Sequence, residues 1–310
     1  MGGRAWAGLR ADVLAFCAVA NFTLSYALTK LALDEWHPLA FMGTRFVVMA
    51  AIALGVLGVQ RRFRVVFGAD LPRFALAGLF GFTLYQLAFV LGLDRTSAFS
   101  STLLLTTIPL CSLLFLRIGG IEPVEPAQWG GVGVAAVGIA VFIWAEEGGP
   151  RLAEARLGDL LSLGAAASFA LYGIVGKPLG GRHAASTVLA GTLLLGSLPL
   201  LPLALVASPS RSGSPISPAG WAIWAYSAVV PVYLGYTWWN AAIAARGVAA
   251  IAPYTLLVPI LGGLLAVGWL GERLTGPKLV GAVLTLLGLA LGRRWLRWLR
   301  RAPAGDAVSG

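Results

Sequence analysis

The sequence predicts an all-α integral membrane protein of ten transmembrane helices, arranged as two inverted five-helix repeats around a central cavity. Three observations predict it. The first is composition: 58% of the residues are hydrophobic and 12% charged, whereas a water-facing domain carries about 25% charge. Second, ten apolar stretches have the length of a helical span, about 20 residues for a hydrocarbon core of roughly 30 Å. The third is an internal echo. "IPLCSLLFLRIGGIEPVEPAQWGG" (Ile108 to Gly131) aligns without a gap with "VPILGGLLAVGWLGERLTGPKLVG" (Val258 to Gly281), matching Pro109, Glu122 and Gly131 to Pro259, Glu272 and Gly281.

In chain order the spans are 11–30, 38–58, 73–92, 97–118, 127–145, 158–177, 185–206, 219–242, 248–270 and 277–294. They are too continuously apolar for barrel strands, which alternate, and a helix satisfies its own backbone in lipid. The first span needs a check, because Arg4 and Arg10 precede an apolar run ending in Ala18-Val19-Ala20, the shape of a signal peptide. Apolar sequence continues past it to Leu33, and the stretch recurs later in the chain, so it reads as a span. "DVLAFCAVANFTLSYALTK" (Asp12 to Lys30) aligns with "DLLSLGAAASFALYGIVGK" (Asp159 to Lys177) at a shift of 147, while spans four and five match nine and ten at a shift of 150.

The domains are therefore 11–145 and 158–295, joined by the charged, glycine-containing linker Glu146 to Asp159. Residues 296–310 are expected to form a tail, basic and then flexible. Five spans are an odd number, so the second repeat must enter the membrane from the opposite side. That architecture recurs in secondary transporters, where it lets one central site face either side in turn. Most of the 23 lysines and arginines fall on one face, including Arg61, Arg62, Arg64 and the run from Arg293 to Arg301. Such a bias predicts a plasma (inner) membrane protein with both termini cytoplasmic. The net charge of +10 then serves lipid headgroups, not nucleic acid.

Particular stretches also carry a family resemblance. "GERLTGPKLVGAVLTLLGLALG" resembles the last-helix signature of the EamA-type transporters of the drug/metabolite transporter superfamily, and "IEPVEPAQWGGVGVAAVGIAV" resembles it in the first half. "NFTLSYALTKLALDEWHPLAFMGTRF" (Asn21 to Phe46) is similar to that family's first two helices. The first half departs from the pattern at Ile121, where a glycine is usual before the acid. The resemblance implies a ten-helix exporter or exchanger of small metabolites, with a cavity lined chiefly by helices 1, 3, 4, 6, 8 and 9.

Polar groups inside a bilayer face protein or a cavity, and residues 3, 4 or 7 apart share a helix face. This reading selects Tyr233, Tyr236 and Asn240 on span eight, with Thr237 between them, and their counterparts Thr83 and Gln86 on span three. It adds Asn21 and Ser25 on span one, their counterparts Ser168 and Tyr172 on span six, Thr102 and Thr106 on span four, and Tyr254 on span nine. Against a cavity role, isolated hydroxyls in membrane helices commonly bond across helices or to their own backbone.

Arg45, the one cation left inside a span, is either a gate or carboxylate clamp, or a structural partner of helix-end carbonyls or of Asp34 or Glu35. Its place two turns inside Pro38 favours the structural reading. Lys30 and Lys177 stand at opposite mouths as charge candidates. Pro109 and Pro259 read as paired kinks.

Gly131 to Ala136 fits a dinucleotide-binding pattern but lacks the preceding strand, so no cofactor follows. Glycines 131, 138, 281 and 288 read instead as close helix packing. No metal-ligand cluster is visible, and neither Cys17 nor Cys111 suggests a disulfide. The acids all fall in loops, tails or span ends, which points to facilitated or exchange transport rather than a mid-membrane proton carrier. The substrate expected is a small metabolite, an amino acid or related zwitterion. Toxic-compound efflux and sugar or nucleotide-type substrates are the alternatives, with an intramembrane enzyme more remote because no nucleophile–base pair appears. A monomer is expected, with a dimer as the other option.

Overall fold

A computed structural model describes residues 2–120, 126–145, 152–247 and 251–292; Glu122 and the tail 296–310 lie outside them. The described residues are helical apart from turns and one isolated bridge between Trp36 and Ser210. We number the long elements α1 (Gly2–Glu35), α2 (Pro38–Val59), α3 (Leu71–Arg95), α4 (Ala98–Ile118), α5 (Pro126–Trp144), α6 (Leu152–Gly180), α7 (Ala185–Leu200), α8 (218–246), α9 (Tyr254–Gly268) and α10 (Gly276–Gly292). Five stretches are long and apolar enough to cross a membrane by themselves: Leu9–Glu35, α2, α3, α4 and α6. Shorter apolar helices are Gln128–Trp144, Ala185–Leu200, Tyr254–Gly268 and Gly276–Leu291.

The boundaries follow from local chemistry. Pro38 opens α2 behind His37, whose Nδ1 accepts from the Leu39 N–H (3.3 Å). Ser97 and Ser217 cap α4 and α8, each hydroxyl accepting a backbone N–H three residues on, at 3.0 Å. Gly247 takes a φ of 80° just after α8, a conformation that costs a side-chain-bearing residue more. Two sequence-derived boundaries move. The helices α1 and α6 start well before the apolar runs, so Asp12 and Asp159 lie inside helices, not at their ends. Hydropathy marks where lipid begins, and a helix extends beyond that point.

Several spans are not uniform α-helix. A π-helical turn interrupts α3 at Leu79–Leu84 and α8 at Val230–Gly235, positions that agree to within a residue at the shift of 150. The second contains Pro231, which cannot donate to the turn before it. In α4 the helix breaks after Leu105 and restarts at Ile108, with the Thr106 and Thr107 hydroxyls donating back to the Leu103 and Leu104 carbonyls (2.5 and 2.6 Å). The helix α9 has its change at the equivalent place: a 3-10 stretch, Ala252–Leu256, precedes α-helix from Leu257. Pro109 and Pro259 each sit just inside the restarted segment, so the break comes two to three residues before the proline.

Packing interleaves the two halves. The helix α1 lies against α8 and α9, α6 against α3 and α4, α2 against α7, and α5 against α10. The last pair is drawn tight by glycine. A Cβ on Gly138 would stand 2.7 Å from Thr285 Oγ1, and one on Gly288 would stand 2.6 Å from the Ala135 Cβ. The largest apolar core, including Trp36, Phe41, Phe46, Phe74, Leu93 and Leu193, fills the space among α1, α2, α3 and α7. Outward faces stay apolar, as at Leu54, Leu264 and Val283, which suits lipid.

Candidate functional site: a cavity between the halves

A cavity of about 300 Å3 lies among α1, α2, α3, α4, α6, α8 and α9. Much of its wall comes in repeat-equivalent pairs. Phe22 and Phe169 match at the shift of 147; Gly81 and Pro231, Phe82 and Val232, Gln86 and Tyr236, Phe89 and Trp239, Leu105 and Thr255, and Ile108 and Val258 match at 150. The π turns of α3 and α8 supply two of these pairs. A π turn adds a residue to the helix and re-aims the side chains beyond it, and such turns gather at functional sites. The α4 and α9 breaks supply two more. Irregular backbone at membrane depth is tolerated where it lines a cavity.

The lining is mostly apolar, with aromatic rings as its largest group. Tyr26, Tyr85 and Phe89 form one wall, with ring centroids 5.3 Å apart for Tyr26 and Phe89 and 5.9 Å for Tyr85 and Phe89. Tyr85 also meets Phe169 at 5.0 Å, and Phe22 meets Tyr236 edge-on at 5.7 Å. Polar groups are few: Ser25, Thr106, Ser227, Thr255, Gln86 and Arg45, besides the tyrosines. Arg45 is 3% exposed, and its Nη2 donates to Gln86 Oε1 at 2.6 Å. Phe41 and Phe46 flank the guanidinium, their ring centroids 5.1 and 5.7 Å from Cζ. The lining includes no acidic side chain, and no three acids, histidines or cysteines gather to hold a metal among the described residues.

Of the residues expected from sequence, Ser25, Gln86, Thr106, Tyr236, Arg45 and Pro109 line the cavity; the others stand elsewhere. Asn21 accepts from the Tyr226 hydroxyl (2.5 Å), Thr83 donates to the Gly196 carbonyl (2.6 Å), Thr102 bonds back to Ala98 and Phe99, and Tyr233 donates to the Met49 carbonyl (3.1 Å). Tyr172 packs on Phe82 and Phe169. Tyr254 packs against Ala15, Ala242 and Ile251. Asn240, Lys177 and Ser168 are outside the lining too, and Asn240 is exposed. The hydroxyls that left the site follow the ordinary fate of lone hydroxyls in membrane helices, which is to bond carbonyls. Sequence reasoning missed Phe22, Phe89, Phe169 and Trp239 because it screened for polarity, and it also passed over Tyr26 and Tyr85. Applying the repeat shift to aromatic positions would have found Phe22 with Phe169, and Phe89 with Trp239.

Lys30 is outside the lining and faces protein. Its Nζ donates to the carbonyls of Leu93 and Thr96 (2.7 Å each) and Asp94 (3.4 Å), closing the C-terminus of α3. Glu272, the acid of the repeated phrase, accepts from the backbone N–H groups of Ala98 (2.6 Å) and Phe99 (3.2 Å) at the N-terminus of α4. A carboxylate there meets unpaired donors and the positive end of the helix dipole. Glu35 does the same for α8 through Ser217 (2.7 Å to its N–H), so it is not a partner of Arg45. Asp94 pairs with Arg211, and Thr96 donates to the buried Asp159 at 2.6 Å. At the other end Asp12 pairs with Arg246, and Asp70 with Arg182 and His183 (2.9 Å each).

Comparison with known proteins gives a consistent picture. The profile of the EamA-like transporter family matches twice, over residues 9–144 and 156–292. A relative from Streptantibioticus cattleyicolor, named a probable terminal-alkyne amino-acid exporter, is 30% identical over 92% of this chain and 94% of its own length. One from Escherichia coli, named a probable amino-acid metabolite efflux pump, is 28% identical over 95% of this chain and 98% of its own. An uncharacterized transporter of Bacillus subtilis is 25% identical over 86% of this chain and 87% of its own. A crystal structure at 18% identity superposes with a TM-score of 0.59 over 95% of this chain and 98% of its own, a likeness of fold.

Proposed function

This chain belongs to the EamA-like transporter family of multi-pass membrane proteins that move small molecules, and from that premise we propose that it exports or exchanges amino acids or related zwitterions by alternating access. The observation that carries the reading is the cavity wall built from repeat-equivalent residues of both halves. In this reading the halves are inserted opposite ways, in the plasma (inner) membrane, with both termini cytoplasmic. The double family match supports that arrangement. So does the reciprocity of contacts: Gly138 meets Thr285 where Gly288 meets Ala135, as a two-fold relation requires.

Alternating access then follows from geometry. Each half contributes one copy of every mobile element: a π turn, a broken helix and an end tie. Exchanging the conformations of the halves moves the opening from one side to the other while the shared wall keeps the substrate. The names of the two relatives above support amino acids as the cargo. An aromatic wall with no acid suits such molecules better than multivalent cations. The lack of a carboxylate in the lining supports facilitated or exchange transport over proton coupling.

Purified protein in liposomes tests the reading. Preloading with an unlabelled amino acid should accelerate entry of the labelled one, with saturation and with no requirement for a pH gradient. Flux that neither saturates nor responds to preloading would remove the carrier mechanism. Strict dependence on the gradient would remove the exchange mode.

A further inference from the structure

We propose that Arg45 is the receptor for a substrate carboxylate, with Gln86 as the residue that orients it. The site therefore selects the carboxylate of its cargo ahead of the ammonium. The inference rests on the transporter reading above and narrows it to a chemical class.

A buried guanidinium needs partners. Desolvating an unpaired cation is expensive, and buried charges are normally matched by an opposite charge. Arg45 is 3% exposed, lies in the cavity wall, and forms no ion pair among the described residues. The acids nearest in sequence are not its partners. Glu35 is spent on Ser217, and Asp34 has no ion pair with it. Of the five N–H groups that a guanidinium presents, one is committed to Gln86 Oε1, and the buried Nε–H has no acceptor. Phe41 and Phe46 flank the group without neutralising it. The missing counter-charge is thus an anion that fits a cavity of about 300 Å3. A carboxylate matches the guanidinium fork in a way a point anion does not.

The rest of the wall describes the rest of the ligand. Tyr26, Tyr85, Phe89 and Phe169 offer a continuous apolar, aromatic surface for a carbon skeleton. No lining residue offers a negative charge to an ammonium, which meets π faces and hydroxyls only. The class selected is a carboxylate with an apolar or aromatic body. Amino acids with such side chains qualify, and so do their counterparts without the amino group.

The test is competition in proteoliposomes carrying labelled L-phenylalanine. The expected result is that 3-phenylpropionate, which keeps the carboxylate and lacks the ammonium, competes as phenylalanine does. Phenylalaninamide and phenethylamine, which lack the carboxylate, should compete roughly ten- to hundredfold more weakly, the scale of hydrogen bonds to a charged group. Arg45→Met should raise the KM for phenylalanine by a similar factor while its thermal unfolding and its weak response to the amide stay near wild type. Arg45→Lys should recover part of the affinity. The competition series uses the unaltered protein, so it decides even where Arg45→Met fails to fold. Equal competition by acid, amide and amine overturns the proposal and leaves the transporter reading standing. Absence of uptake for every amino acid and carboxylate offered overturns the transporter reading instead.

Discussion

The two ends of the helical bundle hold the same backbone positions together with different chemistry. At one end Thr96 donates to Asp159, both wholly or almost wholly buried (4% and 0% exposed). At the other, the repeat-equivalent residues Arg246 and Asp12 form an ion pair whose side chains are 40% and 30% exposed. The surroundings differ in the same sense. Around Asp159, Lys30 and Glu272 hold backbone carbonyls and N–H groups. Around Asp12, the further ties are Asp70 with Arg182 and His183, and Gln60 with Ser186 and Thr187. A side chain that closes a helix terminus works in one register only. Ion pairs in water are worth about 0–1 kcal/mol, whereas a buried donor that loses its acceptor costs roughly 1–3 kcal/mol. The end at Lys30 is therefore the firmer of the two in this conformation, and parting it demands more.

The largest effect comes from locking the ends. With Cys17 and Cys111 replaced by alanine, cysteines at Thr96 and Asp159 joined by a short thiol-reactive linker should abolish exchange, and reduction should restore it. Linking Asp12 and Arg246 should do the same. Continued transport with either end locked would end the view that both must part. Next come single deletions. Asp159→Ala should lower stability by about 1–3 kcal/mol, since it strands the Thr96 hydroxyl. Asp12→Ala should cost less than about 1 kcal/mol. Thermal unfolding in detergent compares them, and equal losses would erase the contrast. Glu272→Ala uncovers two N–H groups of α4 and should cost about 1 kcal/mol. It should also speed alkylation of a cysteine placed at Ser25.

Much of this organisation was legible in the sequence, through periodicity and repetition. The echo of 147–150 residues marked which positions would be equivalent, and the cavity walls, π turns and helix breaks follow it. Pro109 and Pro259 lie just past the irregular backbone of α4 and α9. The fates of single polar residues were not legible. Thr83 and Gln86 lie on one helix three residues apart, yet one caps a carbonyl of α7 and the other faces the cavity. Thr83 lies inside the π turn at Leu79–Leu84 and Gln86 just beyond it, and no local residue pattern encodes that turn. The roles of Lys30 and Glu272 were hidden for a related reason. Their partners are backbone groups of distant helix ends, which carry no side-chain signature.

The smallest effect separates the ends by solvent conditions. The hydrogen bond to His183, aided by Arg73 and Arg182, holds the Asp70 carboxyl below its ordinary value. A carboxyl with a lowered folded-state value lends its stability above the ordinary value and loses it as pH falls through the lowered one. Wild type and Asp70→Asn should therefore differ slightly in unfolding temperature at neutral pH and converge in acid. Salt should act alike, because exposed pairs are screened within about 10 Å at 0.1 M. Raising ionic strength should shrink the Asp70 and Asp12 effects while leaving those of Asp159 and Glu272 in place. A salt response of equal size at both ends would mean that the firmness at Lys30 comes from apolar packing, such as the Trp36 cluster with Trp221 and Trp224, and not from its buried polar ties.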